Sequence, residues 1–376
     1  MDNLRAIIMI IGVFYHAALA YNASWSSIWF SADTVQSLSL ELFSDFLHVW
    51  RMPIFFVVSG FFTAMLIQRR GMGGMFKNRF LRVFSPFVIF WPLLLVAYYV
   101  AFLWAIGNIE NKSAILELMA MPGAPEGTIS LMHLWFLYYL MIFYVLTWVF
   151  RQLPLTKIKN AIVEMNPLLA IMVLPLFLIP GLTLSVIHIR GLLTFTPEIW
   201  GILFFGMFFA YGYILFSSSR LLDYFDRSWP ILFITALVIS APMLYMFPAI
   251  SFDPNRIPFE FIQPDWNIRI PLILCIAYVA TLMSVVGLVV AKKILNGNNG
   301  FMRYMSDASY WIYIVHVPIL LMIQFWLLDQ EGGAAYKFLF SSFSTLLICL
   351  ISYVLLVRWS PIGWLLNGKR KPLFSN

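Results

Sequence analysis

Charge is scarce in this sequence. Asp, Glu, Lys and Arg make up 11% of the 376 residues while 62% are hydrophobic, whereas a soluble domain devotes roughly a quarter of its residues to charge. A soluble fold of this length is excluded, because too little polar surface exists to face water. Cysteine is nearly missing. Cys275 and Cys349 both fall inside apolar runs, so they form neither a spaced metal site nor a disulfide framework. The five histidines include no pair at the three- or four-residue spacing with which one helix holds zinc, and no metal is expected. Gly-x-Ser-x-Gly elbows, phosphate-binding glycine loops and dinucleotide fingerprints are absent too. So are internal repeats, low-complexity tracts and any loop long enough to be a soluble domain. What remains is histidine chemistry in a dry cavity lined by helices.

Long apolar runs are plentiful. A spanning helix needs about 20 mostly apolar residues, and such stretches lie near 3–22, 47–67, 83–106, 132–150, 161–180, 199–216, 230–248, 270–291, 309–328 and 338–357. The expected fold is all-α: one polytopic membrane domain of about ten spans over 1–376. Leu4 to Tyr21 reads as a retained helix, since no basic segment precedes it and no small-residue cleavage site follows. The 14 Trp and 17 Tyr suit helix ends at headgroup depth. A net charge of +7 does not imply nucleic acid, because the basic residues are interleaved with spans. Eighteen of the 24 Lys and Arg fall on the side that carries both termini, which makes that side cytoplasmic by the positive-inside rule. Glu41, Asp45, Glu110, Glu117, Glu126, Asp253, Glu260 and Asp265 lie on the other side.

Ionisable groups inside spans are costly unless they face a cavity or a partner, so they are the candidates for function. Arg5 and His16 are separated by a rotation of about 20° beyond three turns and a rise of about 16 Å, and share one helix face. Snorkelling of Arg5 and packing of His16 would suit the same spacing. Asp45, His48 and Arg51 stack along one side at the start of the second span, where a salt-bridged helix start is the plainer alternative. Ser59-Gly60 would allow a backbone to approach closely, which suits helix packing. The basic segment 68–82, expected to be a loop, holds Arg69, Arg70, Lys77, Arg79 and Arg82 without an acid. It would attract anionic lipid, or clamp phosphates between Arg79 and Arg82. His133 opens the fourth span as an interfacial residue, and Ser309, Tyr313 and His316 form one stripe on the ninth.

These same segments resemble the integral membrane acyltransferase-3 family, and within it the glucan-biosynthesis branch. The resemblance runs through nearly the whole chain. Its carriers are Asp2-Asn3-Leu4-Arg5 with His16; Asp45-Phe46-Leu47-His48 with Arg51-Met52 and Phe55-Phe56-Val57-Val58-Ser59-Gly60; Arg79 with Arg82; His133-Leu134-Trp135-Phe136-Leu137; and Ser309 through His316. One departure is His316-Val317-Pro318, where the branch often has His-His-Pro.

The resemblance implies transfer of an acyl group from acyl-CoA (succinyl-CoA or acetyl-CoA) to a hydroxyl of an exported glycan, across a bacterial inner membrane. It makes Arg79 and Arg82 binders of the donor's phosphates and Arg5 with His16 an essential pair; beyond it, Arg5 and Ser309 are also expected at the donor, and His316 with Arg5 and His16 in catalysis. His16 is expected to be the general base or to carry the acyl group itself, while His316 orients the reacting group or stabilises the oxyanion. Asp45, His48, Arg51 and His133 are expected to meet the acceptor glycan. The competing expectation is a transporter or flippase, which would need similar cavity-facing charges. Oligomeric state is left open.

Overall fold

Hydrocarbon offers backbone N–H and C=O groups no partner, so a chain this apolar must satisfy them within helices. The computed structural model describes residues 2–122, 129–185, 192–247, 264–294 and 300–368, and among these the regular elements are helical, with no strand. Of the residues named above, Glu126, Asp253 and Glu260 lie outside the described residues, as do the basic Arg190, Arg256, Lys369, Arg370 and Lys371.

The helices are α1 (Asp2–Ala18), α2 (Leu38–Arg79), α3 (Ser85–Asn108), α4 (Ala114–Ala120), α5 (Trp135–Phe150), α6 (Thr156–Glu164), α7 (Pro167–Val173) and α8 (Ile179–Leu184). They continue with α9 (Ile199–Leu215), α10 (Arg220–Tyr224), α11 (Trp229–Met246), α12 (Trp266–Ile294), α13 (Gly300–Leu328), α14 (Ala334–Ser352) and α15 (Pro361–Asn367). Among the described residues eight segments are long and apolar enough to cross a membrane, and one of them, Leu38–Asn108, is a run of 71 residues that holds two of the expected spans. The stretch expected at 199–216 is the shorter Ile199–Leu215. The chain is a multi-pass membrane protein.

Three boundaries differ from the sequence expectation, each for a local reason. The basic segment 68–82 is not a loop: α2 runs through it to Arg79, breaks at Gly71 (φ 68°), and passes through a wide turn at Phe80–Phe84 into α3. Only glycine takes such a φ at little cost. The second span starts at Leu38 rather than near residue 47, so Asp45, His48 and Arg51 lie within the helix and not at its first turn. The stretch expected at 161–180 is divided, because the Asn166 side chain accepts from Leu168 N and Pro167 occupies the first turn, starting α7 afresh after α6.

Burial orders the helices. About two thirds or more of the apolar window is covered in α1 (67%), α12 (72%) and α13 (67%), against 22% in α11, so α1, α12 and α13 are central and α11 is peripheral. On α3, Leu93, Val96, Val100 and Leu103 are exposed at intervals of three and four, a lipid-facing stripe. The Ser59-Gly60 expectation finds its partner in α9. A Cβ on Gly60 would lie 1.9 Å from the Phe209 carbonyl oxygen, and one on Gly212 would lie 1.8 Å from that of Val57. These reciprocal glycines let two backbones touch, the packing small residues provide in membranes.

Candidate functional site

Proline 318 begins the site. A proline inside a helix has no N–H for the carbonyl four residues earlier, here Ile314. His133 Nε2 donates to that carbonyl at 2.8 Å, and Tyr98 OH donates to His133 Nδ1 at 2.9 Å. Both nitrogens of His133 are therefore spent on positioning, and the Tyr313 hydroxyl donates back to the His133 carbonyl at 2.8 Å. The start of α5 is thus fastened to the middle of α13.

One turn on, His316 is 3% exposed. Its Nδ1 lies 2.9 Å from the Tyr313 carbonyl and 3.0 Å from that of Ile312, so Nδ1 carries the proton and Nε2 is an acceptor. His16 Nδ1 stands 3.0 Å from His316 Nε2. It must donate there, which leaves the His16 lone pair on Nε2. The two rings, 300 residues apart in sequence, join α1 to α13 with centroids 5.1 Å apart. In this arrangement His316 orients His16 and has no N–H left to offer an oxyanion.

The linker between α1 and α2 closes the site at that end of the helices. Trp29 stacks on His16 at 6.1 Å and 10°, and Trp25 meets His48 edge-on. Three polar fastenings hold the linker down. Ser31 donates to Gln324, which in turn donates to the Ala17 carbonyl; Ser113 donates to the Phe30 carbonyl; and Lys337 bonds Asp33 at 2.7 Å, with side chains 3% and 4% exposed. Trp29, Asp33 and Lys337 carry no periodic signal in sequence. Lys337 borders an apolar span, and the cost of a cation there was the available hint of a partner.

Asp45, His48 and Arg51 turn inward beneath this linker. Asp45 accepts from Asn22 Nδ2 at 3.0 Å and from Trp25 Nε1 at 3.4 Å. His48 Nδ1 lies 2.6 Å from Tyr15 OH. Arg51 is 7% exposed and stacks on the Tyr15 ring at 4.0 Å.

At the opposite end lie the other basic residues. Arg5, Arg79 and Arg82 all act electrostatically on the Tyr310 hydroxyl, so they share one neighbourhood. Their heads diverge within it. Arg79 reaches Thr63 at 3.5 Å and faces the Tyr144 ring, and its buried Nε has no acceptor among the described residues. Arg82 instead donates to the carbonyls of Trp364 and Leu365, closing the end of α15 onto the wide turn before α3. Ser309 is fully buried and donates to the Ser306 carbonyl, so it supplies small volume at this point. Arg5 and His16 both face α13, one beside Tyr310 and the other at His316.

Among the described residues no group of three His, Cys, Asp or Glu side chains is placed to hold a metal. An apolar cavity of about 100 Å³ between α6, α7, α9 and α12, with Arg220 in its lining, is separate from the histidines. It contains no pair of groups for acid–base work.

An Acyltransferase domain model of the acyltransferase-3 family matches residues 1–354. The chain belongs to that family. Its resemblance extends to Glucans biosynthesis protein C of Escherichia coli strain K12, 25% identical over 98% of this chain and 94% of that protein. The same-named protein of Escherichia coli O1:K1 / APEC is 26% identical, and that of Shigella dysenteriae serotype 1 is 25% identical, with the same coverage. No solved structure matches. This membrane acyltransferase therefore transfers groups other than aminoacyl groups, and the paired histidines are its candidate acid–base centre.

Proposed function

We propose that this acyltransferase moves an acyl group, succinyl or acetyl, from cytoplasmic acyl-CoA to a hydroxyl of an exported glycan, with both termini in the cytoplasm of a bacterial inner membrane. The observation that carries the proposal is the His16–His316 pair, which leaves one imidazole lone pair at the junction of α1 and α13. The relatives' name points to a glucan, for instance an osmoregulated one, as the acceptor.

The donor is a polyanion, and the basic neighbourhood of Tyr310 suits it. Arg5 and Arg79 would receive phosphate, the buried Nε of Arg79 being a donor without an acceptor among the described residues, and Arg82 adds its charge from beside α15. Between this neighbourhood and His16 the facing surfaces of α1 and α13 run three turns, a length suited to a pantetheine arm. His16 Nε2 takes the proton of the acceptor hydroxyl as its oxygen bonds to the thioester carbon. The C–S bond then breaks, and the leaving thiolate takes that proton back. Neutral imidazole is suited to both transfers because its reference pKa lies near neutrality. Asp45 and His48 line the acceptor's approach beneath the linker, and His133 holds α13 in place.

The test is transfer by purified protein in detergent, where no gradient exists. Acyl-CoA plus a glucan fragment should release free thiol and add the acyl mass to the glycan, and His16→Gln should abolish both. Thiol release without acylated glycan would reject the acceptor; full transfer by His16→Gln would reject the base.

A further inference from the structure

Transfer from a thioester passes through a tetrahedral oxyanion, and a buried site needs a donor or a cation to meet that charge. Apart from the Trp29 indole N–H, which is buried with no acceptor among the described residues, the neighbouring side chains are committed elsewhere. His316 has its one N–H on backbone carbonyls, His133 has both nitrogens engaged, and the hydroxyls of Tyr98, Tyr310 and Tyr313 donate to His133 Nδ1, the Arg82 carbonyl and the His133 carbonyl. Tyr15 OH is held by His48.

Arg51 is different. It sits 7% exposed in the middle of the helices, and neither a carboxylate at ion-pair distance nor an acceptor for its buried Nε is found among the described residues. Its charge is felt at the paired histidines His16 and His316 and at Tyr15 and Tyr313 beside them. Space for the guanidinium is made by Gly12, where a Cβ would stand 2.9 Å from Arg51 Nη1. Gly12 lies one turn before His16 on α1, on the side from which a donor arm would come. The Tyr15 ring, 4.0 Å away, holds the plane of the guanidinium. A desolvated cation without a counter-ion is a costly feature to build, and it is justified where negative charge appears.

We infer that Arg51, whose guanidinium lies against Gly12 one turn before the general base, meets the oxyanion of the transfer step. The acceptor oxygen bonds to the thioester carbon while its proton goes to His16 Nε2. The carbonyl π pair moves onto oxygen, where the guanidinium donates to it. That pair then re-forms the carbonyl as the C–S bond breaks and the thiolate leaves with the proton from His16. Arg51, expected from sequence to meet the acceptor, thus belongs to the reacting atoms. This inference rests on the acyltransfer reading above.

The experiment compares wild type, Arg51→Met and Arg51→Lys in detergent, each checked for a monodisperse peak and a thermal midpoint, with acetyl-CoA and succinyl-CoA as separate donors. Arg51→Met should lower kcat by about 10²- to 10³-fold for both donors while KM for acyl-CoA stays within about twofold. Arg51→Lys, which keeps the charge and loses the planar stack, should recover about tenfold of that loss. Added guanidinium ion should restore part of the activity of Arg51→Ala, which a purely structural role would not allow. A rise in KM at constant kcat would overturn the inference. So would a loss confined to succinyl-CoA, which would make Arg51 a receptor for the donor's carboxylate. If Arg51→Met does not fold, the kcat of Arg51→Lys decides: an unchanged value overturns the assignment. Absence of transfer by wild type is a separate failure, of the acyltransfer reading itself.

Discussion

Two helix pairs hold the centre of this protein by opposite means. Between α2 and α9, Gly60 and Gly212 bring backbones into contact where they cross, and apolar rings such as Phe56 on Phe205 flank that point. Between α1 and α13, large polar side chains span the seam: His16 meets His316, Gln324 reaches the Ala17 carbonyl, and Arg51 lies against Gly12 from the flank. Lipid supplies no hydrophobic drive for helices to associate, so both seams depend on direct contact. The first obtains it from dispersion at short range, which is insensitive to chemistry and intolerant of volume. The second obtains it from hydrogen bonds, which cost desolvation and leave groups able to react. One seam supports the fold, and the other is where chemistry can occur.

This contrast can be broken from either side. The largest effect is expected at His16. His16→Gln should reduce transfer by about 10²- to 10⁴-fold while the thermal midpoint in detergent moves by only a few degrees, as measured by a thiol-release assay beside a melting curve. A comparable drop in melting temperature would make the polar seam as structural as the glycine one. Gly60→Leu should do the reverse. With the Phe209 carbonyl 1.9 Å from the Cβ position, the backbones must separate, and the yield of monodisperse protein should collapse; normal yield with normal activity would remove the close contact. Intermediate in size is the linker's ion pair. Lys337→Met leaves the Asp33 carboxylate buried and should destabilise by about 3–5 kcal/mol, whereas Lys337→Met with Asp33→Asn should regain most of it. Additive losses in that double variant would show that the two groups do not act as a pair.

The smallest effect lies outside both seams. Asp329 follows α13 and accepts from the backbone N–H groups of Glu110 and Asn111. Partial burial acts to raise its pKa, but those bonds and nearby Lys112 outweigh it and hold the carboxyl below its ordinary value. A depressed carboxylate stabilises the fold above its unfolded pKa and ceases to do so as pH falls through the folded one. The melting temperatures of wild type and Asp329→Asn should therefore differ at neutral pH and converge below about pH 4. A constant difference across that range would deny the coupling.

Much of the site was legible as a set of residues and little of it as an arrangement. His16, His316 and Arg51 could be picked out because ionisable groups in apolar spans are expensive. Gly60 could be named as a point of close approach, and Pro318 marks the carbonyl that His133 takes. The pairing of His16 with His316 was not legible, since periodicity relates residues on one helix and says nothing about which helices face each other. The same gap hid the Lys337–Asp33 pair and the stacking of Trp29, and it allowed Arg79 and Arg82 to be read as one clamp. One helical turn sets where side chains leave the backbone; neighbouring helices set where the heads go.

Composition and apolar run length by themselves determined that this chain is a helical membrane protein, because hydrocarbon leaves the backbone few alternatives. Motif spacing determined which residue types were available for chemistry. Only the tertiary structure decided which lone pair is left for a proton, which arginine stacks on the tyrosine beside the paired histidines and which glycine makes room for it. Those outcomes depend on ångström distances between elements far apart in sequence, and hydrogen bonding and desolvation change over just such distances.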